Sequence, residues 1–185
     1  DSYLYNLFAI LLRTGLRNGE IRALKYSDID RKNNVMHIRH TMKTITGVGM
    51  VEDTPKTKTS IREIPLTPDI IKFVEAQKHF WGFKVTNING YLFCDEKGNP
   101  LKEDTIKYEI RQVIKKIRKD GKEFPDITPH VFRHTFATRA IEEGMPPQVL
   151  KTIMGHSSLA ITMDLYSHVM EDTKQKEMLS IANAF

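Results

Sequence analysis

The sequence predicts a mostly α domain with a small three-stranded antiparallel β-sheet, an α+β arrangement. Three observations lead there. Apolar residues recur at helical spacing near the amino terminus, and again from Thr105 almost to the carboxyl end. Between these stretches, residues 35–66 hold short runs of β-favouring residues separated by turn signals. Thr67-Pro68 and Thr128-Pro129 then mark two helix starts, each a capping hydroxyl followed by a residue suited to the first turn.

Taken in order, Tyr3 to Arg13 reads as a helix with Leu4, Leu7, Phe8, Leu11 and Leu12 on its buried side. Thr14-Gly15 ends it, and a second helix runs from about Asn18 to Lys25. Strands over Val35–Met42, Gly49–Thr54 and Ile61–Leu66 form the sheet, with turns at Asn33-Asn34, at residues 47–49 and at residues 56–60. A helix opened by Thr67-Pro68-Asp69 extends to about Phe80, and Thr105 begins the largely helical remainder. There, Pro129 starts a helix that ends at Gly144, and Pro147 to Met154 forms a short one closed by Gly155. Ser157 or Ser158 can cap the next, which reaches about Leu165, and Thr173 to Ala184 forms an amphipathic terminal helix.

At 185 residues the chain fits a single domain able to bury a core, and its 40% hydrophobic and 28% charged composition is that of a globular protein. No run approaches the ~20 apolar residues of a membrane span, and no secretory signal opens the chain, so no membrane partner is expected. Cys94 is the only cysteine, which excludes an internal disulfide and points to a reducing compartment. Its neighbours Tyr91, Leu92 and Phe93 place it in the core.

Twenty-eight basic residues against 23 acidic ones give a net charge of +5, which leans towards an anionic partner. Between Lys102 and Lys122 there are eight basic and four acidic residues. Lys107, Arg111, Lys115 and Lys119 recur every fourth residue, opposite an apolar face of Ile106, Ile110, Val113, Ile114 and Ile117. Such a stripe fits a solvated helix surface and a helix tracking DNA phosphates equally well.

The residues suited to chemistry lie in separate segments. Pro129 fixes a helix start, so His130 and Arg133 sit in its first turn, three apart and on one face. Unpaired N–H groups there favour a phosphate, and the planar fork of an arginine grips two of its oxygens. Phe132, Phe136 and Ala140 face the core. Arg17 follows the Thr14-Gly15 turn, with Glu20 one helical turn on and able to hold its guanidinium. His156 follows Gly155, and the next helix carries Tyr166 ten residues later. His130 and His134 are spaced for a zinc ion, but the glutamate of the His-Glu-x-x-His pattern is missing, and no carboxylate set suggests two-metal chemistry. No metal or cofactor is expected.

Together, Thr14-Gly15-Leu16-Arg17-x-x-Glu20, a lysine-bearing hairpin, His130-x-x-Arg133-His134, Gly155-His156 and Tyr166 resemble the tyrosine recombinase (phage integrase) family, from Arg17 to Tyr166 and in order. The resemblance implies the tyrosine-recombinase catalytic fold and a site-specific recombinase or integrase acting on double-stranded DNA, with other protomers joining in a synaptic tetramer. It implies that Tyr166 attacks a phosphodiester to give a 3′-phosphotyrosyl link, Arg17 and Arg133 clamp the non-bridging oxygens, and His156 donates a hydrogen bond to them. His130 becomes the proton acceptor, a role imidazole suits. Lys56, with Lys58 as the other candidate, protonates the leaving 5′-oxygen, and His134 supports the site. Type IB topoisomerases use similar chemistry, but the close Gly-His to Tyr spacing resembles the recombinases more. A non-catalytic DNA-binding regulator on the same scaffold is the remaining alternative, against which the intact residue set stands.

Family members usually carry DNA-binding domains ahead of this region. The chain begins at Asp1 without a methionine, and residues 1–185 are expected to be the isolated catalytic domain of a longer prokaryotic, cytoplasmic protein. Residues from about 168 to 185, with Met170, Met178, Leu179, Ile181 and Phe185, form a tail that either docks on a neighbouring protomer or folds back on its own domain.

Overall fold

The structure, a computed structural model, describes residues 2–54, 57–80, 89–170, 178 and 181–182. Helix α1 (Tyr5–Thr14) is followed by α2 (Asn18–Ala23), then by five strands: β1 (Ile29–Asp30), β2 (Val35–Ile38), β3 (Thr41–Ile45), β4 (Gly49–Asp53) and β5 (Arg62–Pro65). Helices α3 (Pro68–Phe80), α4 (Glu103–Lys119), α5 (Pro129–Glu142), α6 (Pro147–Met154) and α7 (Leu159–Val169) complete the order. The domain is mostly α with a small three-stranded antiparallel sheet, as the sequence predicts. Among the described residues no helix is long and apolar enough to cross a membrane.

The membership of the sheet differs from the expectation. The run over Val35–Met42 is two strands, β2 and β3, and β4 pairs only with β3 as a separate hairpin. The three-stranded sheet is β1-β2-β5 instead. The reason is that the two halves serve different cores. Met36 and Ile38 enter the main cluster, whereas Met42 packs with Ala23, Tyr91 and Cys94, so the chain must bend between them. Strand β1 is two residues long, too short for alternation to reveal.

Helix α1 packs on α3 and α5. Its buried arc is Leu4, Leu7, Ile10 and Leu11, with Phe8 stacked on Phe132 at 5.3 Å. Leu12, expected inside, is 41% exposed because the arc is rotated towards Ile10. Helix α4 buries Ile106, Ile110 and Ile114 and leaves Lys107, Arg111, Lys115 and Lys119 in solvent. A second cluster joins α5, α6 and α7 through Ala137, Ala140, Ile141, Leu150, Met154 and Tyr166.

Two glycines fix how these layers meet. Gly15 ends α1 at φ 62° and Gly155 ends α6 at φ 63°, both left-handed. A Cβ at Gly15 would lie 2.5 Å from the Phe136 ring and 2.8 Å from Met154 Sδ, so α1 and α5 approach as closely as they do only because no side chain intervenes. Of the terminal helix expected over Thr173–Ala184, only Met178, Ile181 and Ala182 are described, each in helical conformation, and the remainder lies outside the described residues.

Candidate active site

Arg17 caps the start of α2, and Glu20 on the first turn of that helix turns back towards it. The Glu20 carboxylate accepts the Arg17 backbone N–H at 2.8 Å and Arg17 Nη1 at 2.7 Å. A residue the sequence reading did not single out completes the arrangement. Arg62, at the start of β5, donates from Nη1 and Nη2 to the two Glu20 oxygens, each at 2.9 Å. Both side chains are almost fully buried, 3% and 2% exposed. A signal was present: Arg62 shares strand parity with the core residues Ile64 and Leu66, so a charge stands on the apolar face.

Burial alone would raise the Glu20 carboxyl, but the hydrogen bonds and charge of Arg62, then those of Arg17, outweigh it and hold it at about 2. The arginines also tie distant turns together. Arg17 Nη2 donates to the Gly155 carbonyl at 2.8 Å, across 138 residues of chain. Arg133 is buried and donates to the carbonyls of Gly15 and Met154, both at 2.6 Å. Burial first, then the charges of Arg17 and Arg62, lower Arg133 to about 9, still cationic at neutral pH. Three guanidinium groups around one carboxylate leave a net charge of +2, which suits an anion.

Arg17 is the shared wall of two pockets, each of about 330 Å³. The first is lined by Arg17, Thr41, Thr57, Ser60, His156 and Ser157, among others. The second lies at the start of α5, between Arg17, Asn18, Lys107, Thr128, His130 and Arg133. His156 is buried, and Nδ1 lies 2.9 Å from the Thr162 hydroxyl on α7. Burial, then Arg133, Arg17 and Arg62, push His156 down to about 4, so the ring is neutral at physiological pH.

Arg17, Glu20, His130, Arg133 and His156 are thus brought together from three regions of the chain. Tyr166 is not in that group. Its ring lies in the α5–α6–α7 cluster, and its hydroxyl donates to the Met145 carbonyl in the α5–α6 turn; it lines neither pocket. Burial raises the phenol above its ordinary value. His134 is exposed on α5, outside both linings. Lys56 lies outside the described residues, and Lys58 opens a 3₁₀ turn ending at Ser60.

The sequence profile of the Phage integrase family matches residues 1–173. The chain is 34% identical over 179 residues to the transposase from transposon Tn916 of Enterococcus faecalis, covering 94% of this chain and 44% of that protein. It is 26% identical over 196 residues to a XerC-like tyrosine recombinase of Caldanaerobacter subterraneus, covering 97% and 49%. It superimposes on the Tn1549 transposon integrase, solved in complex with circular intermediate DNA, with a TM-score of 0.83 at 33% identity, covering 96% of this chain and 59% of that one. The chain therefore spans about half the length of the relatives it matches.

Removing the shared carboxylate by Glu20→Ala strands a buried guanidinium and is expected to cost on the order of 3–5 kcal/mol, measured by urea denaturation. The two depressed groups also set a pH dependence. The unfolded chain protonates His156 near its ordinary 6.5 while the folded ring resists until about 4, so stability falls as pH drops through that window. A second loss follows between 4.5 and about 2, where Glu20 takes a proton in the unfolded chain first. Urea midpoints across pH check both, and His156→Gln is expected to flatten the first fall.

Proposed function

From the chain's membership of the phage integrase family, the tyrosine recombinases, we propose that residues 1–185 are the catalytic domain of a site-specific DNA recombinase or integrase working in the cytoplasm of a prokaryotic cell. The observation that carries the reading is the position of Arg17. It walls two pockets at once, and Arg133, His130 and His156 line one or the other of them. A phosphodiester seated against Arg17 meets donors from both sides.

In the reaction proposed, the Tyr166 oxygen attacks phosphorus of a DNA phosphodiester, and the bond from phosphorus to the 5′-oxygen breaks. The products are a 3′-phosphotyrosyl link and a free 5′-hydroxyl. His130 takes the phenol proton, and Lys56 supplies the proton that the 5′-oxygen gains. A 5′-hydroxyl from a partner duplex then attacks the phosphotyrosine, which restores a phosphodiester and frees Tyr166. Arg17 and Arg133 offset the charge that builds on the non-bridging oxygens, often the largest catalytic contribution. They act without delay because carbonyls and Glu20 already hold them in place.

The position of Tyr166 gives the cycle a starting state. A buried phenol is a protonated, poor nucleophile, and Tyr166 lines neither pocket, so in this reading it moves towards Arg17 before it attacks. The partners proposed are double-stranded DNA carrying recombination sites and further protomers in a synaptic tetramer. Lys107 stands at the rim of the second pocket and pairs with Glu103 at 2.7 Å. From it, Arg111, Lys115 and Lys119 continue along the exposed face of α4, where they suit the DNA backbone.

On a nicked suicide substrate the protein is expected to become trapped covalently on DNA, and Tyr166→Phe to abolish trapping while binding persists; a covalent adduct from that variant would refute the nucleophile. Lys56→Ala is expected to slow cleavage by roughly 10²–10⁴-fold. A 5′-phosphorothiolate, whose leaving group needs no proton, should restore the rate. Rescue confined to Lys58→Ala would move the role to Lys58.

A further inference from the structure

Four helical hydroxyls among the described residues bond back along their own helix, and the buried Thr162 does not. Thr14, Thr135, Thr152 and Ser167 each donate to the carbonyl four residues earlier, at 2.7, 2.8, 2.9 and 3.0 Å. Thr162, on α7 and with no exposure to solvent, has its recorded hydrogen bond with His156 Nδ1 instead, at 2.9 Å. A ring nitrogen and a hydroxyl at that distance share one proton in one of two ways, and the burial decides which.

Suppose Nδ1 carried the hydrogen. The Thr162 oxygen would then accept it, and the hydroxyl's own hydrogen would have no acceptor among the described residues. A buried O–H left without a partner is unfavourable, and interiors rarely tolerate one. With the hydroxyl as donor and Nδ1 as acceptor, both groups are satisfied. The ring holds a single proton at physiological pH, because burial and the three nearby guanidinium groups disfavour a second. That proton must then be on Nε2, the nitrogen that Thr162 does not engage, on a ring that lines the pocket beside Arg17.

We infer that Thr162 is a positioning residue that fixes the tautomer of His156, making Nε2–H a permanent hydrogen-bond donor into the pocket beside Arg17. The consequence for the site rests on the recombinase reading. His156 can donate to a non-bridging phosphate oxygen but cannot take a proton from Tyr166 while Nδ1 is engaged and Nε2 is protonated. The proton acceptor is then the other imidazole, His130, in the second pocket. Two histidines of one site thus acquire different roles through one hydroxyl, with no difference in the rings themselves.

The experiment is two-bond proton–nitrogen correlation NMR of protein labelled with ¹⁵N-histidine at neutral pH, the His156 signals assigned by their loss in His156→Gln. The wild-type spectrum is expected to show His156 with Nε2 protonated and Nδ1 bare. Thr162→Ser keeps this pattern, whereas Thr162→Val, similar in shape without the hydroxyl, lets the Nδ1–H form appear. In the trapping assay Thr162→Val should lose roughly tenfold or more in rate at unchanged DNA binding, with Thr162→Ser restoring it. A protonated Nδ1 in the wild type overturns the inference, as does an unaltered tautomer in Thr162→Val. The wild-type spectrum decides even if the valine variant fails to fold. Should the spectra come out as expected while the wild type cleaves no DNA, the tautomer inference stands and the recombinase reading falls.

Discussion

Glu20 accepts four hydrogen bonds, two from Arg17 and two from Arg62, and does so almost wholly out of solvent. An ionised carboxylate in that position is unfavourable unless its charge and its lone pairs are met, and here both are. The same constraint runs in reverse. Arg62 tolerates its burial because Glu20 is there, so the start of α2 and the start of β5 are bound to one another by mutual need. Arg62 further donates to the carbonyl of Ser60, which fixes the chain as it leaves the segment that carries the lysines.

From that pair the rest of the site follows by helix ends. Gly15 and Gly155 close α1 and α6 in left-handed turns, which leaves carbonyls at each carboxyl end without helical partners. Arg133 takes those of Gly15 and Met154, and Arg17 takes that of Gly155. Positive groups at the negative ends of two helices are favourable in themselves. For the proposed reaction, the arrangement aligns the guanidinium groups in advance, so none of their ordering would have to be met as a phosphate reacts. Burial first, and then these three cations, keep His156 neutral.

Against this rigid half stands Tyr166, held by packing and one carbonyl rather than by ion pairs. Among the described residues, the α5–α6–α7 cluster is the smaller of the two apolar cores that meet at α5. The proposed chemistry asks for movement in that half alone. In the proposed reaction the arginines would stay in place as the clamp and Tyr166 would move to them as the nucleophile.

Much of this fold was legible in the chain. Helical periodicity, the two Thr-Pro starts and the closing glycines located most of the helices, and the alternation in residues 61–66 located β5. Leu12 and the split of residues 35–42 into β2 and β3 were not legible, since each depends on which neighbouring layer the apolar residues meet. Arg17, Glu20, His130, Arg133, His156 and Tyr166 could be singled out because each has a local marker: a turn, a helix start, a glycine or a fixed spacing. Arg62 had only strand parity, and Thr162 had none. What the sequence determined by itself was the set of chemical groups and the local turns that present them. Only the tertiary structure decided that one carboxylate would serve two arginines, that Arg17 would divide two pockets, and that Tyr166 would rest on Met145. Those outcomes depend on burial and on contacts between separate elements, some across more than a hundred residues, as from Arg17 to Gly155 and from Arg133 to Gly15, and spacing along a chain carries no record of them.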